Sequence, residues 1–322
     1  MTFRKIAAAL LLLSALGSAL AQTGYPNKPL RLFVGYPPGQ ASDIFARLLA
    51  DNLGRTLGQP VVVENRPGQA GSIGLAAAAK SPPDGYTIGF SATAAVSSNL
   101  YLYKSIPYDP LKDFAPIAMV GYNALYLVAN PSVQAGSLPE LIALAKSKPD
   151  SLNYATPGNG SMAHLTMELV KLNTGAKLTH VPYKGSSQAI AELIAGQTAV
   201  AFDTPAVTVP FIRAGKLKLL AVTSPKRSVL FPEVPTVAES GMPGFESGAW
   251  YGLLFPAGTP RPIVMRLNED LNRIVRQPEV IEKLTAIGVE ARNSTPEEFA
   301  EVIRNDNARW GRVIKEAGIR GD

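Results

Sequence analysis

The 322-residue sequence contains no cysteine and only two histidines, His164 and His180. Without cysteine there is no disulfide scaffold, no cysteine-ligated zinc or iron–sulfur site and no thiol nucleophile. Two imidazoles are too few for a His-rich metal site or a His-ligated di-metal centre. Despite 28 glycines and 27 prolines, the chain has no collagen period, no low-complexity run and no repeat of fixed length. Beyond residue 21 no stretch approaches the roughly 18 apolar residues that span a bilayer. The formal charge of +6 is scattered, and no dense Lys/Arg stripe points to nucleic acid. G-x-S-x-G, H-E-x-x-H and a paired S-x-x-K with K-T-G are all missing.

What is present is a globular chain. Hydrophobic residues make up 46% and charged residues 17%, enough to bury a sizeable core. The length suggests about two domains at roughly 100–200 residues each. Arg4 and Lys5 precede an apolar run from Ile6 to Leu16, and Ala19-Leu20-Ala21 gives an A-x-A pattern. This is the build of a secretory signal peptide over residues 1–21, with cleavage expected after Ala21 and the mature chain in the periplasm. Removal of Arg4 and Lys5 lowers the formal charge to +4. The residue after the site is Gln22, so no lipoprotein anchor is expected.

The rest alternates β-rich runs with helical patterns, the signature of α/β layering. Strands are expected at 30–34, 61–64, 86–90, 117–120, 125–128, 152–155, 178–181, 200–202, 218–222 and 250–255. Ile44, Phe45, Leu48, Leu49, Leu53 and Leu57 form the buried stripe of a helix. Ser137-Leu138-Pro139-Glu140 and Thr295-Pro296-Glu297-Glu298 are capping boxes that open two others. The segment from about Tyr122 to Ser224 carries its own strand–helix units. It reads as a second lobe (123–224) inserted into a first lobe (24–122 plus 225–322), with a ligand cleft between two mixed sheets flanked by helices.

Three junctions share a strand, a Gly-rich polar turn and a helix start: Gly35–Asp43, Thr156–Ser161 and Tyr183–Ser187. At a helix start the free N–H groups and the dipole favour a carboxylate or phosphate. Ser42, Asp43, Ser161 and Ser186 are also good N-caps, a role that needs no ligand. Asp43 reads as a cap or orienting group, because its charge repels an anion. Gly158-x-Gly160-x-x-Ala163 matches a dinucleotide fingerprint, but no acidic residue follows at the distance a ribose needs. No cofactor is expected. His164 and His180 read as structural histidines in apolar patterns, and Trp250 and Tyr251 as core.

Together these residues carry a recognisable pattern. The chain resembles the Bug family, the periplasmic solute receptors of tripartite tricarboxylate transporters. The resemblance rests on Tyr25-Pro26-Asn27-Lys28-Pro29, Gly39-x-x-x-Asp43, Val63-Glu64-Asn65-Arg66-Pro67-Gly68, Pro83-Asp84-Gly85-Tyr86 and Pro107-Tyr108-Asp109. It continues through Gly158-Asn159-Gly160-Ser161, Val181-Pro182-Tyr183-Lys184-Gly185, Ala221-Val222-Thr223-Ser224, Trp250-Tyr251-Gly252 and Pro256-Ala257-Gly258-Thr259-Pro260. It implies a two-lobed Venus-flytrap protein, a monomer that catalyses nothing, captures a small carboxylate and delivers it to a membrane permease. Ligand contacts carried over from the family are Tyr36, Pro38, Gln40, Ala41 and Ser42 of the first loop. From the second lobe they are Thr156, Gly158, Ser161, Tyr183, Lys184, Asp203 and Thr204, often acting through bridging waters.

Two positions depart from the family. Gln40 replaces the second glycine of the first loop. Val96 stands where the family has a histidine, which suggests a less polar wall suited to a dicarboxylate or an aromatic carboxylate such as a benzene dicarboxylate. Other readings are a receptor that feeds a sensor kinase, and an exported hydrolase using a loop serine, which needs a base within hydrogen-bond reach.

Overall fold

The computed structural model describes residues 24–149 and 151–320. The signal segment read at residues 1–21 lies outside the described residues. Among the described residues no helix is long and apolar enough to cross a membrane.

The chain begins with β1 (Leu30–Val34), α1 (Ala41–Leu57), β2 (Val61–Asn65), a 3-10 turn at Gln69–Gly71, α2 (Ser72–Ala79) and β3 (Thr87–Ala92). Two single-turn helices, α3 (Thr93–Val96) and α4 (Asn99–Leu102), lead to β4 (Phe114–Ala124). The middle of the chain gives β5 (Tyr126–Ala129), α5 (Leu138–Ser147), β6 (Asn153–Thr156), α6 (Met162–Thr174) and β7 (Thr179–Pro182). It goes on through α7 (Ser186–Ile194), β8 (Val200–Asp203), α8 (Pro205–Arg213) and β9 (Lys218–Val222). The chain then returns with β10 (Gly248–Pro256), α9 (Arg261–Ile274), α10 (Pro278–Ala286), β11 (Glu290–Ala291) and α11 (Pro296–Glu316).

Two mixed sheets result, in strand order β11-β4-β10-β3-β1-β2 and β7-β6-β8-β5-β9. This is the α/β architecture expected from the sequence, with all ten expected strands present. β1 pairs parallel with β2 and β3, whereas β10 runs antiparallel between β3 and β4. Period-two alternation along β10 sends Trp250 and Tyr251 to opposite faces. Tyr251 packs on Phe45 and Phe90, Trp250 on Phe299, and both are buried as expected.

In α1 the buried face is Phe45, Ala46, Leu49, Ala50 and Leu53, and Gly58 ends the helix in the left-handed conformation. Ile44, expected on that face, is instead 46% exposed. The buried stripe is centred on Phe45, Leu49 and Leu53, and Ile44 lies at its solvent edge. Thr295 opens α11 with a complete capping box, whereas Ser137 caps α5 while Glu140 bonds Gly136.

Two connections tie the sheets together. Leu125 lies between β4 and β5, and Ser247 between the segment after β9 and β10. Both meet at the buried Thr223: its hydroxyl accepts from Leu125 N at 2.8 Å and donates to the Ser247 carbonyl. Thr223 N donates to Leu125 O, Ser247 N to Thr223 O, and the Tyr122 hydroxyl to Ser247 O at 2.8 Å. The last helix adds a third link. Phe299 and Ile303 of α11 lie in the core with Phe33 and Trp250. Trp310, Val313 and Ile314 of the same helix lie in the core of the other sheet with Leu127 and Leu165, joined there by Val237, Met242 and Phe245.

Thr223→Val keeps the shape but strands the Leu125 amide in the interior. The variant should lose about 1–3 kcal/mol of unfolding free energy in urea, whereas Thr223→Ser should retain most of it.

Candidate functional site

The first loop, between β1 and α1, is fixed from beneath. Gly35 packs so close to Gly71 that an added Cβ would lie 2.3 Å from the Gly71 carbonyl oxygen, so the loops after β1 and β2 touch backbone to backbone. The Tyr36 hydroxyl donates to Ala70 O at 3.2 Å, and Asn65 Nδ2 donates to Tyr36 O at 3.0 Å. Asp43 is neither exposed nor an N-cap. Gln40 is the N-cap and makes no side-chain cap bond, while Asp43 reaches back from the first turn. Asp43 Oδ2 accepts from Gly39 N at 2.8 Å and Arg47 Nε at 2.9 Å, and Oδ1 from Asn65 Nδ2 at 2.7 Å. Burial alone raises its pKa, but bonds from Arg47, Asn65 and the Gly39 amide outweigh this and hold the carboxyl below the usual range. Pro38, Gln40 and Ala41 are exposed at the tip. Ser42, also expected as a cap, lies inside α1, and its hydroxyl and the Asn123 amide both meet the Tyr251 hydroxyl.

The second loop, between β6 and α6, stands on both histidines. Ser161 is the N-cap of α6, accepting from His164 N at 3.3 Å. Gly158 (φ 144°) and Gly160 (φ 69°) take conformations that favour glycine. Gly160 N donates to His164 Nδ1 at 3.1 Å, which places the His164 proton on Nε2. The His164 ring stacks on His180 at 3.8 Å, and His180 Nε2 lies 2.6 Å from the Thr156 hydroxyl. Beneath them Glu168 accepts from the Tyr154 hydroxyl at 2.5 Å and from Lys171 at 2.6 Å. Burial, then the neighbouring His180 and Lys171, depresses His164 to about 3. Burial is also the main cause that brings His180 down to about 4, so both rings are neutral at neutral pH. Neither ring bonds a loop serine among the described residues: His164 Nδ1 is committed to Gly160 N and His180 Nε2 to the Thr156 hydroxyl.

The third loop is zipped onto the second, with Tyr183 N donating to Thr156 O and Gly185 N to Pro157 O. Tyr183 is half-buried and Lys184 exposed, its amide donating to Gln188 Oε1 at 3.2 Å. Ser186 is the first residue of α7 after a Gly185 N-cap, not a cap itself. Its hydroxyl donates to Asp203 Oδ1 at 3.0 Å, as does Thr204 N at 2.7 Å. Asp203 Oδ2 is buried with no partner among the described residues, and burial holds the carboxyl above the usual range. Thr204 is the N-cap of α8 and makes no side-chain cap bond.

Asp203 pairs in register with Tyr126, while Asn123 lies three residues earlier on the same crossing segment, beside Tyr251 and Ser42. The start of α1, through Ser42 and Tyr251, and the start of α8, through Asp203, thus lie against one stretch of chain, Asn123 to Tyr126. The lobes already touch beside it: a Cβ on Gly160 would meet Leu102 of α4 at 2.5 Å, and one on Gly288 would meet Ala206 of α8 at 3.1 Å. Two residues of this region escape sequence reasoning, Asn123 and Ser98, whose buried Oδ1 and Oγ have no partner among the described residues. The only sequence signal for Asn123 is an amide inside an otherwise apolar strand. Val96 presents no wall to a ligand, because it is fully buried in the core with Phe33, Leu75 and Tyr108. Among the described residues no group of three His, Cys, Asp or Glu side chains is placed to hold a metal ion.

Asp43 also predicts a pH dependence. Its folded pKa is depressed, so its contribution is complete above the unfolded value of about 3.9 and is lost as pH falls through the lower folded value. Asp43→Asn should cost about 1–2 kcal/mol in urea unfolding at pH 7, and the difference from wild type should close at strongly acidic pH.

Residues 45–319 match the family model described as tripartite tricarboxylate transporter family receptor. BugT of Bordetella pertussis is 39% identical over 319 residues, covering 96% of this chain and 98% of that protein. Among solved structures, Rpa4515 of R. palustris with adipate is 34% identical, has a TM-score of 0.74, and covers 92% of this chain and all of that one. MatC of Rhodopseudomonas palustris with bound malate is 32% identical with a TM-score of 0.69, covering 90% of this chain and all of that one. A shared fold, a match over most of the chain and two hydrogen-bonded helix-start loops facing one crossing segment agree: the chain belongs to the tripartite tricarboxylate transporter family receptors, which are periplasmic solute-binding proteins and not enzymes.

Proposed function

We propose that this receptor captures a small aliphatic dicarboxylate between its lobes and delivers it, as a monomer in the periplasm, to the membrane permease of a tripartite transporter. The observation that carries the reading is the pair of helix starts without side-chain caps, α1 and α8, set on either side of the Asn123–Tyr126 segment. The start of α1 leaves first-turn N–H groups at the positive end of its dipole, whereas α8, whose Pro205 has no N–H and whose Val207 N donates to Thr204 O, offers the Ala206 N–H. A dicarboxylate with one group at each start bridges the lobes and favours closure, because only the closed form lets one molecule touch both.

A carboxylate brings acceptors only, so the unpartnered Asp203 Oδ2 meets it through a water that donates to both. The contacts proposed from lobe 1 are Tyr36, Pro38, Gln40, Ala41 and Ser42. Those from lobe 2 are Thr156, Gly158, Ser161, Tyr183, Lys184, Asp203 and Thr204. Thr156 and Ser161 have hydroxyls already held by His180 and by the cap, which fixes them in place for a ligand. The adipate and malate of the two related structures support an aliphatic chain of four to six carbons. The aromatic alternative loses its main argument with the burial of Val96. The same export route, a signal peptide cleaved after Ala21, belongs to this proposal.

Two outcomes test it. In thermal-shift measurements on refolded, ligand-free protein, malate, succinate or adipate at 100 times its dissociation constant should stabilise the fold by about 2.7 kcal/mol. Benzene carboxylates should shift it less, and no response to any dicarboxylate would sink the proposal. Ser161→Ala should weaken binding of the best ligand by about 1.5–3 kcal/mol if its hydroxyl donates to a charged carboxylate. An unchanged affinity would reduce Ser161 to a helix cap.

A further inference from the structure

Asn159-Gly160 is the one Asn-Gly pair in the sequence. It forms the tip of the second loop, between β6 and α6, in a turn that Ser161 N closes on Gly158 O at 3.3 Å. Asn159 is exposed. Gly160 stands in the left-handed region at φ 69°, which a residue with a Cβ adopts only with strain. A side chain on the residue after an asparagine crowds the main-chain nitrogen, and glycine has none. A bond from the Gly160 nitrogen to the carboxamide carbon of Asn159 closes a five-membered ring.

The fold already engages that same nitrogen. Gly160 N–H donates to His164 Nδ1 at 3.1 Å, and burial, helped by the neighbouring His180, keeps the ring neutral. The proton that must leave before the nitrogen can attack therefore points at an unprotonated imidazole. No other asparagine is followed by glycine. Asn293 precedes a serine, but Ser294 is buried and its N donates to Asn272 Oδ1 at 3.3 Å.

We propose that Asn159 is a modification site, whose spontaneous deamidation puts a negative charge into the second loop of the cleft. Gly160 N attacks Asn159 Cγ. The N–Cγ bond forms, the Cγ–Nδ2 bond breaks, and the amide proton leaves with Nδ2 as ammonia. Water then opens the cyclic imide. Cleavage of the N–Cγ bond leaves aspartate, whereas cleavage between N and the Asn159 carbonyl carbon leaves isoaspartate, with the chain running through the side chain. Water is the only co-reactant. Isoaspartate also lengthens the main chain inside a loop that is held at Thr156 and Pro157 by the third loop and at Gly160 by His164. The effect on binding rests on the dicarboxylate reading of the cleft. A carboxylate at 159, next to Gly158 and two residues before Ser161, repels such a ligand, so the receptor loses affinity as it ages.

The test holds the purified mature protein in warm, mildly alkaline buffer over weeks and maps its peptides by mass spectrometry, with isoaspartate detected by enzymatic methylation. The peptide that carries Asn159 should exchange NH2 for OH and gain isoaspartate, while the peptide that carries Asn293 stays intact. A binding arm compares Asn159→Asp with Asn159→Ser. The acidic variant should bind malate or adipate about tenfold more weakly, the effect of a like charge close to the anion at a partly dry site. Asn159→Ser should keep most of the affinity and lose none of it on ageing. The proposal is overturned if Asn159 stays intact, or if Asn293 is modified to the same extent. It is also overturned if Asn159→Asp binds malate and adipate as tightly as the native chain. If the fresh native chain binds neither, the cleft reading fails by itself and the peptide masses alone decide the modification.

Discussion

One buried hydroxyl, that of Thr223, holds together the two places where the chain passes between sheets. It accepts from Leu125 and donates to Ser247, and the backbones of Leu125 and Ser247 are each hydrogen-bonded to that of Thr223. In the interior such a group cannot be left unpaired without a cost of about 1–3 kcal/mol, so the register of the crossing is strongly specified. Everything that faces the cleft is measured from this point. Asn123 lies two residues before Leu125, and Tyr126, one residue after it, sets the position of Asp203 and hence the start of α8. The last helix reinforces the arrangement by burying Phe299 in one core and Trp310 in the other.

Around that fixed crossing, each cleft loop has its own anchor. Asp43 ties the first loop to Asn65 and Arg47, and the stacked histidines hold the second through Gly160 and Thr156. The third is fastened to the second by backbone bonds and to Asp203 through Ser186. The division of labour is physical. Groups with their own charge or a committed hydrogen bond hold the backbone in place, and in the proposed reading the helix starts are where the anion binds. Preorganisation of this kind keeps the entropy cost of binding low, and if each lobe carries one half-site, as proposed, binding is converted into closure.

The sequence made the fold legible because its signals were local: β-rich runs, S/T-x-x-E boxes and glycine at turns. The choice of cap was not local. Gln40, Ser42 and Asp43 are all polar residues at the start of α1, and which of them bonds the backbone is decided by Asn65 and Arg47, one strand and one helical turn away. Ser186 likewise looks like a cap until Asp203 of another strand draws its hydroxyl away. The burial of Val96 is not legible in the sequence, because a helix of four residues has no periodicity from which to read its buried face. The sharing of α11 between two cores could not be read either, since one amphipathic stripe looks the same whether it covers one surface or two.

The central claim is that the lobes move as two bodies about the Thr223 crossing and that a dicarboxylate closes them. The natural absence of cysteine allows a single pair of labels, at exposed Lys80 beside the first sheet and exposed Lys146 beside the second. Distances between spin labels at Lys80→Cys and Lys146→Cys, measured by double electron–electron resonance, give the lobe separation directly. The account predicts a broader, longer distribution without ligand that collapses to one shorter distance when malate or adipate is added. Identical distributions in both states would contradict it.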